Sequence, residues 1–131
     1  MMSSFEVAIT ISTLDGQRRV ETRALVDTAS TLVVIPPSLA RRLELIPLAQ
    51  ERFRLGNEEP IDLPVTNALI TVEGRTTAAR VAIGPAEGTP ILGVTVLELL
   101  ALAVDPLRER LIPVEYLLKS GILTPSAEGL A

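Results

Sequence analysis

Short runs of β-branched and aliphatic residues, each closed by a Gly, Pro or Asp turn signal, recur along the chain and constrain its fold more than any other feature. Residues 5–13 (FEVAITIST) alternate as a half-buried strand does, 14–17 (LDGQ) carry an Asp-Gly turn, and 17–26 (QRRVETRALV) return as a second strand, polar first and then apolar. TLVVIP (31–36) reads as a short buried strand stopped by Pro36 and Pro37. PSLARRLEL (37–45) reads as a short helix with Leu39, Leu43 and Ile46 facing inward. QERFRL (50–55) and IDLPVTNALITV (61–72) predict a hairpin with its tip at Gly56 to Glu59. EGR (73–75) turns the chain into another strand, TTAARVAIG (76–84). Beyond the loop PAEGTP (85–90), ILG begins a buried segment and VTVLELLALAV (94–104) sets Leu97, Leu100, Ala101 and Val104 at helical spacing. DPLRER (105–110) is a turn before a last strand over LIPVEYLL (111–118). Many short strands and two short helices predict a mostly-β domain, a small barrel or sandwich.

A chain of 131 residues with 47% hydrophobic content forms one domain with a real core. That core is aliphatic, because Phe5, Phe53 and Tyr116 are the only aromatics. Scarce aromatics and a formal charge of −4 argue against a nucleic-acid partner, which needs stacking platforms and a basic field. With no cysteine and no histidine, disulfides, thiol nucleophiles, Ser-His and Cys-His pairs and ordinary zinc sites are excluded, and no metal or cofactor is expected. The acid–base groups left are carboxylates, Tyr116, Lys119 and the arginines. The longest apolar stretch, 89–104, is shorter than a bilayer-spanning helix and carries Glu98, so no membrane partner is expected. The opening MMSSFEVAITIS has neither a basic region nor a continuous apolar run, so no signal peptide is expected. The missing cysteines fit a cytoplasmic location.

One residue stands out chemically. Of the four aspartates, Asp15 and Asp105 sit in turn contexts and Asp62 lies beside the hairpin tip, but Asp27 is set among strand-forming apolar residues in ALVDTASTLVVIP (24–36). Burying a carboxylate costs several kcal/mol, on the order of the whole margin of a small domain, unless it is neutralised or well hydrogen-bonded. Two readings are open. Asp27 is a turn residue partnered by Thr28 and Ser30, in a plain structural β domain, or it is an acid–base carboxylate. The second reading needs another carboxylate close by to share one proton, and a two-fold homodimer would supply it.

ALVDTASTLVVIP resembles, without a gap, the active-site segment of retropepsin-like aspartic proteases: an apolar run, then Asp-Thr/Ser-Gly-Ala/Ser, then an apolar run ending in Ile-Pro. PILGVTVLELLALAVDPLRERLIPV (90–114) resembles the same family's second motif, its helix and its closing strand, and the likeness runs over most of residues 5–116. The resemblance implies a small closed barrel of the retropepsin type over residues 1–118. Residues 119–131 would form a tail, flexible or at a dimer interface. The implied activity is a homodimeric endopeptidase acting on peptide or protein substrates. Asp27 would be catalytic, with Thr28, Ala29 and Ser30 supporting the dyad. Leu55, Gly56, Asn57, Glu58 and Glu59 would form the flap over the peptide, and Ile91, Leu92 and Gly93 would pack beneath the catalytic loop.

The sequence departs from the family in three ways. Ala29 stands where the family has Gly, a strained placement if its φ is positive and one that could weaken catalysis to leave a binding or scaffold module. Thr31 and Val94 replace the acid and the arginine that form an ion pair in viral members. The flap tip carries one Gly and two Glu, which suggests a shorter, more polar flap. Arg18-Arg19, Arg41-Arg42 and Glu58-Glu59 read as solvated charges, and GPAEGT (84–89) lacks the lysine of a phosphate loop.

Overall fold

The computed structural model describes residues 4–56 and 58–123. Nine strands follow in chain order among the described residues: β1 (Phe5–Ser12), β2 (Arg19–Val26), β3 (Val33–Ile35), β4 (Ala49–Phe53), β5 (Ile61–Val72), β6 (Arg75–Ile83), β7 (Ile91–Leu92), β8 (Leu102–Asp105) and β9 (Arg110–Pro113). Helix α1 (Pro37–Arg42) lies between β3 and β4, α2 (Val94–Leu99) follows β7, and a 3-10 turn covers Gly121–Leu123.

Alternation in β1 and β2 puts Ile9, Ile11, Val20, Ala24 and Val26 on the core face, and the two strands pair antiparallel from Phe5↔Val26 to Ser12↔Arg19. The turn between them is held by Asp15. Its carboxylate accepts from the Thr13 hydroxyl (2.6 Å) and the Gln17 N–H (2.9 Å), and these bonds hold its pKa below the ordinary carboxylate value. The larger sheet runs β1-β2-β7-β3-β6-β5-β4 and closes on itself, because Thr10, Ile11 and Ser12 of β1 also pair with Thr71, Ile70 and Leu69 of β5. Only β4 stands outside this ring, paired with the first half of β5. Strands β8 and β9 form a separate hairpin. The fold is mostly β with two short helices, as the turn spacing predicts.

The topology that matters for function is local to β7. Two residues long, β7 is inserted between β2 and β3, which are consecutive in sequence. It runs parallel to β2 (Leu25↔Ile91, Val26↔Leu92) and antiparallel to β3 (Val34↔Ile91). The loop that joins β2 to β3, residues 27–32, must therefore cross over the end of β7. Strand β3 in turn pairs parallel with β6.

The main core is aliphatic and joins the ring strands to both helices. Ile11, Leu43, Ile70 and Leu92 are fully buried within it. A second, smaller cluster of Leu63, Val65 and Ala82 packs with Val34, Phe53 and Ile61 beneath the β4–β5 hairpin. The one buried polar residue among those described, Thr66, donates its hydroxyl to the Ile46 carbonyl at 2.9 Å, so its burial leaves no orphaned group.

Several expectations change. Ile46 is exposed, not inward: α1 ends at Arg42, and the chain leaves the helical face before Ile46. Helix α2 ends at Leu99 and not at Val104. Ala101 turns left-handed (φ 54°), and Val104 lies on β8. Leu100 and Ala101 are buried all the same, so their spacing mixes a helix end with a strand start. Arg75 fixes this helix end by donating to the Leu100 (3.0 Å) and Ala101 (3.3 Å) carbonyls. The last strand stops at Pro113, and residues 114–118 have no regular secondary structure, although the Val114 N–H still donates to the Ala101 carbonyl at 2.9 Å. Asp62 is exposed beside the hairpin tip and pairs with Arg52 at 3.1 Å across the β4–β5 hairpin, which raises the arginine's pKa further.

Candidate active site

Asp27 sits at the end of β2, half-buried, rather than in the middle of the core. Its N–H donates to the Leu92 carbonyl at 3.0 Å, so the inserted strand β7 fixes its backbone. Its Oδ1 accepts the Ala29 N–H at 3.0 Å, and its carbonyl accepts the Ser30 N–H at 3.1 Å. This is the Asx-type turn that the local sequence suggests. The turn does not exclude chemistry, because it engages Oδ1 through one N–H and fixes the carboxylate's orientation.

The loop is locked from below. Val94 donates its N–H to the Ser30 carbonyl (2.8 Å), Thr95 donates to the Thr31 carbonyl (3.2 Å), and the Ser30 hydroxyl donates to the Leu32 carbonyl (2.9 Å). Gly93 lies between these bonds with φ −89°, a conformation open to any residue. A side chain there is excluded by space alone. A Cβ would lie 2.5 Å from the Ser30 oxygen, 2.6 Å from the Leu32 oxygen and 2.8 Å from the Thr31 carbonyl carbon. Leu92 is fully buried, Gly93 lies against the backbone of Ser30 to Leu32, and Ile91 lines the cleft beside the loop.

Ala29 is exposed, and it is not among the described non-glycine residues with positive φ, which are Glu44, Glu73, Ala101 and Glu109. The strain that a Cβ brings to a left-handed Gly position does not arise here. Thr28 is also exposed, and Ser30 is half-buried under its own hydrogen bond.

A cleft of about 580 Å³ runs between this loop and the β4–β5 hairpin, with Asp27, Ala29 and Ser30 on one side and Leu55 and Gly56 on the other. Leu32, Val34, Phe53 and Leu63 give it apolar walls, drawn from the smaller core cluster and its neighbours. The structure thus brings the carboxylate and two of the flap residues to one cavity. Glu58 and Glu59 are exposed at the tip and outside the lining, and Asn57 lies outside the described residues. Pattern reading missed Phe53 and Leu63 as cleft residues. Their signal was available, since residues paired across a hairpin share a face and Phe53↔Ile61 and Glu51↔Leu63 flank the tip.

Among the described residues lining the cleft, Asp27 is the sole carboxylate, and no group of His, Cys, Asp or Glu among the described residues is placed to hold a metal ion. No described helix is long and apolar enough to cross a membrane. A model of the aspartyl protease family matches residues 9–96. No curated protein matches the sequence. Among solved structures, the fold is similar to the simian foamy virus (mac) protease, determined in solution, with a TM-score of 0.53 and 15% identity over 71% of this chain and 91% of that one.

Proposed function

The chain belongs to the aspartyl protease family, with a retropepsin-like fold, and from that membership we propose that it is a homodimeric endopeptidase whose dyad is Asp27 from each of two copies. The observation that carries the proposal is the single carboxylate facing the hairpin across an apolar-walled cleft. One carboxylate cannot be both base and acid to the same water at the same moment, and no second one lines the cleft among the described residues. A symmetry mate supplies it.

In this reading the two carboxyl groups share one proton, because like charges at short range do not both ionise. The ionised member takes a proton from a water held between them, and the water oxygen attacks the scissile carbonyl carbon. The protonated member gives its proton to the carbonyl oxygen. Collapse of the tetrahedral intermediate returns a proton to the leaving nitrogen and restores the shared one. The Ala29 N–H orients Asp27 through Oδ1, and the exposed Thr28 braces the dyad from the partner side. The β4–β5 hairpin, with Leu55 to Glu59 at its tip, closes over an extended peptide whose apolar side chains meet Leu32, Val34, Phe53 and Leu63.

Support for a second copy comes from the end of the described chain. Leu117 and Ile122 are almost wholly exposed, at 97% and 98%, and Val114 and Leu118 are exposed beside them. Apolar side chains left bare on one segment mark a contact surface. In this reading the described part of the tail, residues 119–123, belongs to that interface, after a domain of residues 1–118. The absence of cysteine from the chain favours a cytoplasmic setting.

The test is hydrolysis of a mixed peptide library from acidic to neutral pH by wild type and Asp27→Asn, together with the mass in solution. Cleavage lost in the variant, with a bell-shaped pH profile, supports the dyad. Peptide binding without cleavage assigns the cleft to a binding module. Residual activity equal to wild type in Asp27→Asn, or a strict monomer at high concentration, overturns the proposal.

A further inference from the structure

The cleft has one wall with nothing packed behind it. Residues 84–90 connect β6 to β7, and Gly84 and Pro85 line the main cleft. On the loop's other side lies a second hollow of about 210 Å³, bounded by Val34, Ile35 and Pro36 and by the loop's own residues through Thr89. Gly84, Pro85, Val34 and Ile91 line both cavities, so the loop is a thin partition between them. Residues 85–89 are all exposed, and hydrophobic burial does not hold them.

Hydrogen bonds therefore hold this wall. Its ends are fixed to the sheet: Gly84 donates to the Ile35 carbonyl (2.8 Å), and Leu25 donates to the Pro90 carbonyl (2.8 Å). Between those ends, among the described residues, a single side chain ties the loop to the body of the protein. The Glu87 carboxylate reaches the first turn of α1, where Oε2 accepts the Ser38 N–H at 3.0 Å and Oε1 accepts the Ser38 hydroxyl. A carboxylate accepting two donors of one residue fixes direction as well as distance, which a single bond does not. Helix α1 is in turn anchored by Leu39, Ala40 and Leu43 in the main core.

We infer that Glu87 is a positioning residue for the cleft: by bridging to Ser38 it holds the 84–90 partition in place and so sets the width of the channel on the side away from the hairpin. The inference rests on the reading of the cleft as a peptide channel. Glu87 touches no substrate and takes no part in proton transfer. Its loss lets the partition swing into the hollow behind it and weakens the grip on the peptide more than it slows the chemistry at Asp27.

The experiment measures KM and kcat separately for wild type, Glu87→Ala, Ser38→Ala, the double variant and Glu87→Gln, with backbone amide exchange over residues 84–90. Glu87→Ala is expected to raise KM at least about threefold while lowering kcat by less than that, the pattern of lost ground-state binding. The double variant should be no worse than Glu87→Ala, since both changes cut one tether. Glu87→Gln, which keeps an acceptor oxygen, should recover part of the loss. Amides of the loop should exchange faster in Glu87→Ala, while those of β1 and β2 stay unchanged. If wild type cleaves and Glu87→Ala has an unaltered KM, the inference fails and the protease reading stands. If wild type cleaves no peptide, the protease reading fails, and loop exchange then decides on the tether: faster exchange supports it and unchanged exchange overturns it.

Discussion

Replacing Gly93 by alanine isolates the contact between β7 and the Asp27 loop. The backbone at Gly93 is ordinary (φ −89°), so alanine brings no torsional strain there, and it narrows the unfolded ensemble for a gain of about 0.4–1 kcal/mol. Against that stands a Cβ placed 2.5 Å from the Ser30 oxygen, where ordinary contact begins at 3.4 Å. The loop must retreat by the difference, 0.9 Å. The three atoms nearest the Cβ are all backbone, so no side chain there can swing aside, and the retreat strains the bonds from Val94 and Thr95. Overpacking of this kind costs about 1–3 kcal/mol, at the upper end when backbone must move. The net loss is about 2 kcal/mol once the gain is subtracted. At roughly 3–6 °C per kcal/mol for a domain of this size, thermal unfolding followed by circular dichroism should show a clear drop in Tm. Peptide hydrolysis should fall further than stability, because a displacement near 1 Å of a reacting group costs on the order of 10²-fold in rate. Gly88→Ala is the control, since its Cβ meets nothing within 4 Å, and it should keep or slightly raise Tm. A Gly93→Ala protein with wild-type Tm and wild-type turnover would refute the argument that β7 seats the Asp27 loop.

Two further predictions follow from the same geometry. The Ser38 hydrogen bonds hold the Glu87 carboxyl below its ordinary value of 4.5, with Arg41 adding to the effect from α1. A depressed folded-state pKa contributes stability above the ordinary value and loses it as pH falls through the folded value. The Tm difference between wild type and Glu87→Gln should therefore be present at neutral pH and close in acid, and a difference that widens on acidification would contradict it. Leu117→Ser and Ile122→Ser alter side chains already in solvent, so monomer unfolding should shift by no more than about 0.5 kcal/mol while sedimentation shows weaker self-association. Unchanged association would remove the tail from the interface.

Much of the fold is legible in the sequence because its signals are local. Alternation gives Phe5–Ser12, the Asp15–Gly16 turn returns the chain antiparallel, and the polar tip after Phe53 makes a hairpin that needs no distant partner. What escaped pattern reading is non-local or rests on coincidence of period. Val104 lies at helical spacing from Leu97 and Leu100 yet belongs to β8, because a helix end followed by a strand can present apolar residues at the same intervals. The insertion of two-residue β7 between β2 and β3 has no signature in the residues of β2 or β3 themselves. The Glu87–Ser38 bridge spans 49 positions, and nothing about either residue marks it. The motif around Asp27 marks the candidate site, and its local geometry is gentler than the residue pattern suggests. The carboxylate ends a strand instead of interrupting the core, and Ala29 fits where a left-handed glycine position would have been strained.

The central claim is that one cleft needs two copies of Asp27, and mixing tests it most directly. Wild-type and Asp27→Asn chains are combined at equal concentration, unfolded and refolded together so that they assort at random, and assayed at the same total chain concentration as pure wild type. If each active centre takes one carboxylate from each chain, only dimers with two wild-type chains cleave, and activity falls to about one quarter of the pure wild-type value. Activity at about one half would show that a single chain carries the whole site, and would contradict the account.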